Sequence, residues 1–135
     1  MYGLTVTLDN GEAAKQADVV VLCVKPQILE KVVSEIASSI SPDALVISVA
    51  AGITMRQIGA NLSDHARICR SMPNMPSVVG AGAAALAFGK HLTKEDKQMA
   101  HELFESCGLA VELHEESLLD AATGSADQPV ALVKL

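Results

Sequence analysis

Three short segments of this chain set small or rigid residues just beyond an apolar run: Val24-Lys25-Pro26, Ala50-Ala51-Gly52 and Met72-Pro73-Asn74. Most residues of these types donate and accept no protons; they let a flat ligand lie against backbone. A single Pro or Gly after a run is ordinary turn chemistry. Three such segments ending parallel strands would converge on one sheet edge, which is where open α/β folds bind ligands. A fourth stretch, Gly80 to Ala85, matches G-x-G-x-x-A, formally a dinucleotide fingerprint. Its context is wrong. The following "AALAFGKHL" is too short and poorly punctuated to be the helix that receives a pyrophosphate. Glu102 has roughly the ~20-residue spacing of a ribose ligand but falls in mid-helix. The glycines read instead as strand positions that another backbone or a ligand approaches closely.

Little else offers chemistry. Glu102, Glu105, Glu115 and Glu116 read as charges on solvated helix faces, and local motifs suggest no nucleophile triad. His65, His91, His101 and His114 are scattered, and no His or Cys spacing suits zinc. Cys23, Cys69 and Cys107 form no C-x-x-C pair and read as buried thiols in a reducing cytoplasm. Such a site suits a reaction that depends on a cofactor and on orientation, as hydride transfer does. The net charge of −6, with no basic cluster, argues against nucleic-acid partners. No apolar run approaches the ~18 residues of a membrane span. The first residues lack the basic region of a secretory signal.

The elements that must position these segments are read from periodicity. "ADVVVLCV", Ala17 to Val24, predicts a strand buried on both faces. Ile28, Val32, Ile36 and Ile40 lie four apart on one helical face, and Ser41 to Asp43 breaks that helix. Ala44 to Ala50 is a second buried strand, Thr54 caps a helix to about Leu62, and Ala66 to Met72 is a third strand. Val78 to Phe88 follows as a strand. A helix opened by Thr93-x-x-Asp96 then turns Met99, Leu103, Phe104 and Cys107 inward, and Gly108 ends it. Leu109 to Leu113 is a last strand, and Glu115 to Ala122 begins another helix. Near the start, Leu4 to Leu8 predicts a short strand, and Asp9-x-x-Glu12 opens a brief helix. Alternating strands and helices imply βαβ units. The expected fold is an incomplete Rossmann-like, doubly wound α/β sheet, mostly parallel, in three α/β/α layers.

"ADVVVLCVKPQIL", "LVISVAAGIT", "RICRSMPNMPSVVGAG" and "GLAVELHEESLLDAATG" follow one another as they do in pyrroline-5-carboxylate reductases, and the resemblance runs from about Tyr2 to Gly124. It implies NADPH or NADH on a Rossmann domain and hydride transfer to the C=N carbon of 1-pyrroline-5-carboxylate, giving proline. It implies that Asn10 lies near the adenosine ribose and that Cys23, Val24, Lys25 and Pro26 pack along the cofactor. Ala50, Ala51 and Gly52 would lie near the nicotinamide, and Met72, Pro73 and Asn74 would form a loop lining the same pocket. Cys23 stands where alanine is common, and Met75 replaces the threonine of M-P-N-T-P. No catalytic side chain and no metal ligand is implied. The expected partner is the small-molecule substrate, with neither nucleic acid nor membrane. The family resemblance also implies a cytoplasmic enzyme that is a homo-oligomer at full length.

The resemblance implies further that the family's glycine-rich loop would precede Met1, and that residues 125–135 depart from its Ser-Gly-Ser-Gly-Pro-Ala-Tyr continuation. The expected organisation is a partial dinucleotide-binding domain, 1–124, and a divergent tail. The alternative reading is a non-catalytic, Rossmann-like binding module of the same family; a hydroxyacid dehydrogenase is disfavoured by the M-P-N-x-P segment. Lacking the pyrophosphate cradle, the polypeptide as written is expected to bind NADPH weakly and to oxidise none with the imine. Steady turnover in that assay would contradict this.

Overall fold

A computed structural model describes residues 3–62, 67–74, 82–106 and 108–119. The elements are α1 (Asn10–Ala14), β1 (Val19–Leu22), α2 (Pro26–Ile36), β2 (Leu45–Ser48), α3 (Met55–Asn61), β3 (Ile68–Asn74), β4 (Gly82–Phe88), α4 (Lys94–Glu105) and β5 (Gly108–Leu113). The predicted strand start at 78–81, Ala66, Met75, Gly80, Cys107 and everything from residue 120 onward, including the 125–135 tail, lie outside the described residues.

One five-stranded sheet runs in the order β1-β2-β3-β4-β5. β1, β2 and β3 are mutually parallel, β4 is antiparallel to β3, and β5 is parallel to β4. The mostly parallel expectation holds, with β4 and β5 reversed as a pair. Strand alternation sorts the core. Leu22, Val46 and Ile68 pack with Leu29, Val33, Ile36, Ile58 and Leu62 of the α2–α3 layer. Leu45, Ile47 and Cys69 point to the opposite face, against Ala100 and Phe104 of α4. Helices therefore cover both faces, giving the three-layer α/β Rossmann-like arrangement. Every residue of β2 is buried, as its unbroken apolar run predicted.

Several expectations shift. β1 is shorter than Ala17 to Val24, and Val21 is 40% exposed, because β1 is the edge of the sheet and lacks cover there. α2 ends at Ile36, and its buried stripe is Leu29, Val33 and Ile36, leaving Ile28 exposed. The sequence admits both stripes; the Leu29 stripe faces the sheet. On α4 the buried positions are Asp96 and Ala100, with Phe104 packed beside them, while Met99 and Leu103 are exposed. Ser106 caps that helix, and Gly108 begins β5. Leu4, Val6 and Leu8 form no strand and are exposed. A run of that length makes a strand only with a neighbour to bond its backbone, and none of the described strands pairs with it.

The close approach read from the glycines is present at Gly82. It pairs with Gly108, whose φ is +150°, and a Cβ on Gly108 would stand 2.0 Å from the Gly82 carbonyl oxygen. Gly82 is thus a strand residue and no phosphate loop.

Polar anchors tie the layers. Thr54 and Gln57 form a capping box at the start of α3, and Thr93 and Asp96 form one at the start of α4. Asp96 also accepts from Arg67 Nε at 3.0 Å and from Arg67 Nη2, joining the start of β3 to α4. Burial by itself would raise the Asp96 carboxyl. Hydrogen bonds from Arg67 and Thr93 and the guanidinium charge outweigh it and hold the group below its ordinary range. Cys69 is fully buried, and burial, reinforced by the charge of Glu112, pushes its thiol up to about 12. Cys23 is exposed, against the expectation of a buried thiol, because it follows the edge strand.

Two outcomes are expected. Arg67→Ala should lower unfolding stability by about 1.5–3 kcal/mol at neutral pH. Asp96 has a depressed folded pKa, so its contribution is complete above the unfolded value of about 4 and fades as pH falls through the folded value. Urea unfolding of the two proteins should therefore converge in acid. In native alkylation followed by peptide mapping, Cys23 should be labelled, whereas Cys69 should be labelled only in denaturant.

Candidate functional site

The parallel pairing of β1, β2 and β3 brings their carboxyl ends to one edge. Packing then joins the three predicted segments. Val24 packs against the cluster that contains Ala50. Ala51 packs with Met55 against Met72, Ala85 and Leu119. Val24, Ala50, Ala51 and Met72 thus belong to two adjoining apolar clusters.

The third segment differs from its expectation. Met72, Pro73 and Asn74 form the end of β3 and pair with Ala85, Ala84 and Ala83 of β4; they are no loop. Antiparallel pairing with the small residues of β4 prolongs the strand past its expected end at Met72. Pro73, which has no N–H to give a ladder, is exposed there.

Between β2 and α3 the chain is fastened at both ends. The Ala50 N–H donates to the buried Ser48 hydroxyl at 3.2 Å. At the other end the Met55 N–H donates to Glu116 Oε1 at 2.6 Å. The same oxygen accepts from Arg70 Nη1 at 2.9 Å. Arg70 is in mid-strand and 1% exposed. Taking a guanidinium out of water is tolerated only with such a partner. Gly52 sits between the two fastenings. Its φ is +74°, it is exposed, and a Cβ there would meet nothing within 4 Å. Glycine is needed for backbone conformation, and its open face is free to meet a ligand closely.

The β1 segment divides. Cys23 and Val24 line a cavity of about 250 Å³ along β1, shared with Asn10. Pro26 turns to a cavity of about 330 Å³ between α2 and α3, shared with Ile53 and Gln57. Lys25 is exposed at the N-cap of α2 and makes no side-chain cap bond, and Pro26 opens the helix at N1. Asn10 is no helix cap. Asp9 takes that role by accepting from the Glu12 N–H at 3.0 Å, and Asn10 Nδ2 donates to Glu35 Oε2 at 2.7 Å. Asn10 is thereby held at the α1–α2 junction, beside the 250 Å³ cavity and apart from the β2 and β3 ends.

Sequence reading missed Ser48, Arg70 and Glu116. Glu116 was assigned to a solvated face, yet the fold turns it onto Arg70 and the start of α3. One signal was available: Arg70 interrupts an apolar strand, and a charge in a buried strand needs a partner. The partner's identity was not readable, because 46 residues separate Arg70 from Glu116. Among the described residues no group of His, Cys, Asp and Glu could hold a metal ion. No described helix is long and apolar enough to cross a membrane.

Residues 1–52 match a family described as "NADP oxidoreductase coenzyme F420-dependent". A pyrroline-5-carboxylate reductase of Synechocystis is 40% identical over 134 residues, 99% of this chain and 49% of its own length. The crystal structure of the Coxiella burnetii pyrroline-5-carboxylate reductase superposes with a TM-score of 0.85 at 36% identity, covering 97% of this chain and 50% of that one. The Plasmodium falciparum pyrroline carboxylate reductase, solved with NADP bound, gives a TM-score of 0.84 at 30% identity, covering 95% and 48%. The chain spans about half the length of the curated relatives it matches. In sequence and in fold, the chain is a relative of the pyrroline-5-carboxylate reductases, corresponding to about half of such a protein.

Proposed function

We propose that this chain supplies the nicotinamide-side surface of a pyrroline-5-carboxylate reductase, which reduces 1-pyrroline-5-carboxylate to L-proline with NADPH or NADH. The observation that carries the reading is the delivery of the β1, β2 and β3 carboxyl ends to one edge, where Gly52 follows β2 with an open backbone face. That face fits a flat group laid against main chain. The names of the relatives supply the reaction and substrate class.

Ala50, Ala51 and Gly52 would hold the nicotinamide, with Met72, Pro73 and Asn74 beside it and Cys23, Val24, Lys25 and Pro26 along the rest of the cofactor. Asn10 would lie toward the adenosine ribose. When bound, the reduced nicotinamide supplies the hydride taken up by the imine carbon. The chain's own part is orientation and exclusion of water. Val24, Ala50, Ala51 and Met72 form an apolar floor that offers water few partners, and such a floor favours face-to-face stacking of two rings. An imine accepts hydride better when its nitrogen is protonated, so the protein's task is to preserve that cation beside the ring. The reading carries with it a cytoplasmic enzyme that works as a homo-oligomer on a small-molecule substrate.

The test is an NMR titration of the protein with NADPH, which reads weak as well as tight binding. Amide signals of residues 23–26, 50–53 and 72–74 should move together and saturate. Gly52→Val should cost about 1–2 kcal/mol of stability from backbone strain and should reduce those shifts in the folded protein. NADPH-induced shifts confined to other surfaces, or none, would overturn the reading.

A further inference from the structure

The segment 50–55 is held by three independent contacts. The Ser48 hydroxyl fixes the Ala50 amide, the Met72 cluster fixes Ala51, and Glu116 fixes the Met55 amide. The first comes from the end of β2 itself and the second from the cluster of Met72, Ala85, Ala87 and Leu119. The third comes from beyond β5, from a residue that contributes nothing to the strand ends themselves. Glu116 is oriented in turn by Arg70, whose β3 position lies between Ser48 of β2 and Ala87 of β4. Arg70 is buried, whereas Glu116 is 30% exposed and bridges it to the start of α3.

We propose that Glu116 is a positioning residue for the Ala51-Gly52 segment, with Arg70 as its anchor. The inference rests on the reading that this segment meets the nicotinamide. Its physical content is a lever. The carboxylate places Met55, the first residue of α3, at a fixed distance from mid-β3. Gly52, three residues earlier, is linked to that placement through Ile53 and Thr54, and Thr54 is tied to the start of α3 by its capping box. A carboxylate also suits the positive end of a helix, so it holds α3 where a neutral side chain would hold it less firmly. Loss of the bridge leaves a buried guanidinium without this carboxylate and so costs stability; in protein that still folds, it also blurs the surface that a planar ligand must match within a fraction of an ångström.

Two variants test it by the same titration. Glu116→Ala removes the bridge. Glu116→Asp keeps the charge that neutralises Arg70 but withdraws the oxygen by one methylene, and it decides the matter if the alanine variant does not fold. Relative to wild type, NADPH binding should weaken roughly threefold to tenfold in the first and roughly twofold to threefold in the second. The amides of residues 51–53 should shift before any ligand is added. Arg67→Ala, at the other end of β3, is the control: it lowers stability and should leave the dissociation constant unchanged. A folded Glu116 variant with wild-type affinity and unmoved 51–53 amides would overturn the proposal. So would a control that weakens binding equally, since a general loss of stability would then explain both. The cofactor reading fails separately, if wild-type protein shows no NADPH-induced shifts at residues 50–53. The ligand-free shifts of the variants still report the positioning in that case.

Discussion

Every side chain of β2 is withdrawn from water, and this requires cover on both faces of the sheet at once. Val46 meets the α2–α3 layer, and Leu45 and Ile47 meet α4. No single layer of helices could satisfy that strand. The three-layer arrangement follows, and so does the interior place of β2, with parallel neighbours on both sides. Parallel pairing has a second consequence. Strands that run the same way deliver their carboxyl ends to one edge, so the requirement that buries β2 also brings the β1, β2 and β3 exits to one edge of the sheet.

That edge is built from groups with almost no chemistry of their own. Val24, Ala50, Ala51 and Met72 supply apolar surface, and Gly52 supplies an open stretch of main chain. The polar residues nearby are occupied in fastening it. Ser48 holds the start of the segment, and Arg70 and Glu116 hold its end. On the proposed function, such a surface would act by geometry and by exclusion of solvent, with the reactive group brought by a cofactor. The investment in polar anchors behind an apolar surface is consistent with that division of labour. Arg70 makes the point most clearly, because a buried guanidinium is costly unless it holds something in place.

The reversal of β4 and β5 completes the sheet in a way that depends on small residues. Ala83, Ala84 and Ala85 allow β3 to extend through Pro73 and Asn74, and Gly82 and Gly108 allow the backbones of β4 and β5 to approach where no Cβ would fit. The G-x-G pattern that resembles a phosphate loop therefore reflects backbone crowding, at least at Gly82.

Local sequence by itself determined most of the elements. Unbroken β-branched runs announced β1 and β2, Thr54 and Thr93 announced the starts of α3 and α4, and small or rigid residues marked the strand ends. These are legible because caps, turns and burial on both faces leave signals within a few residues. Tertiary structure alone decided which stripe of α2 and α4 turns inward, since Ile28 or Leu29, and Met99 or Ala100, satisfy the same period. It decided that Val21 and Cys23 are exposed, because edge position depends on neighbours. It decided that Met72 to Asn74 are strand, because the partner lies in β4. It also brought Glu116 to Arg70 and Met55, for no local pattern records a contact between groups so far apart in the chain.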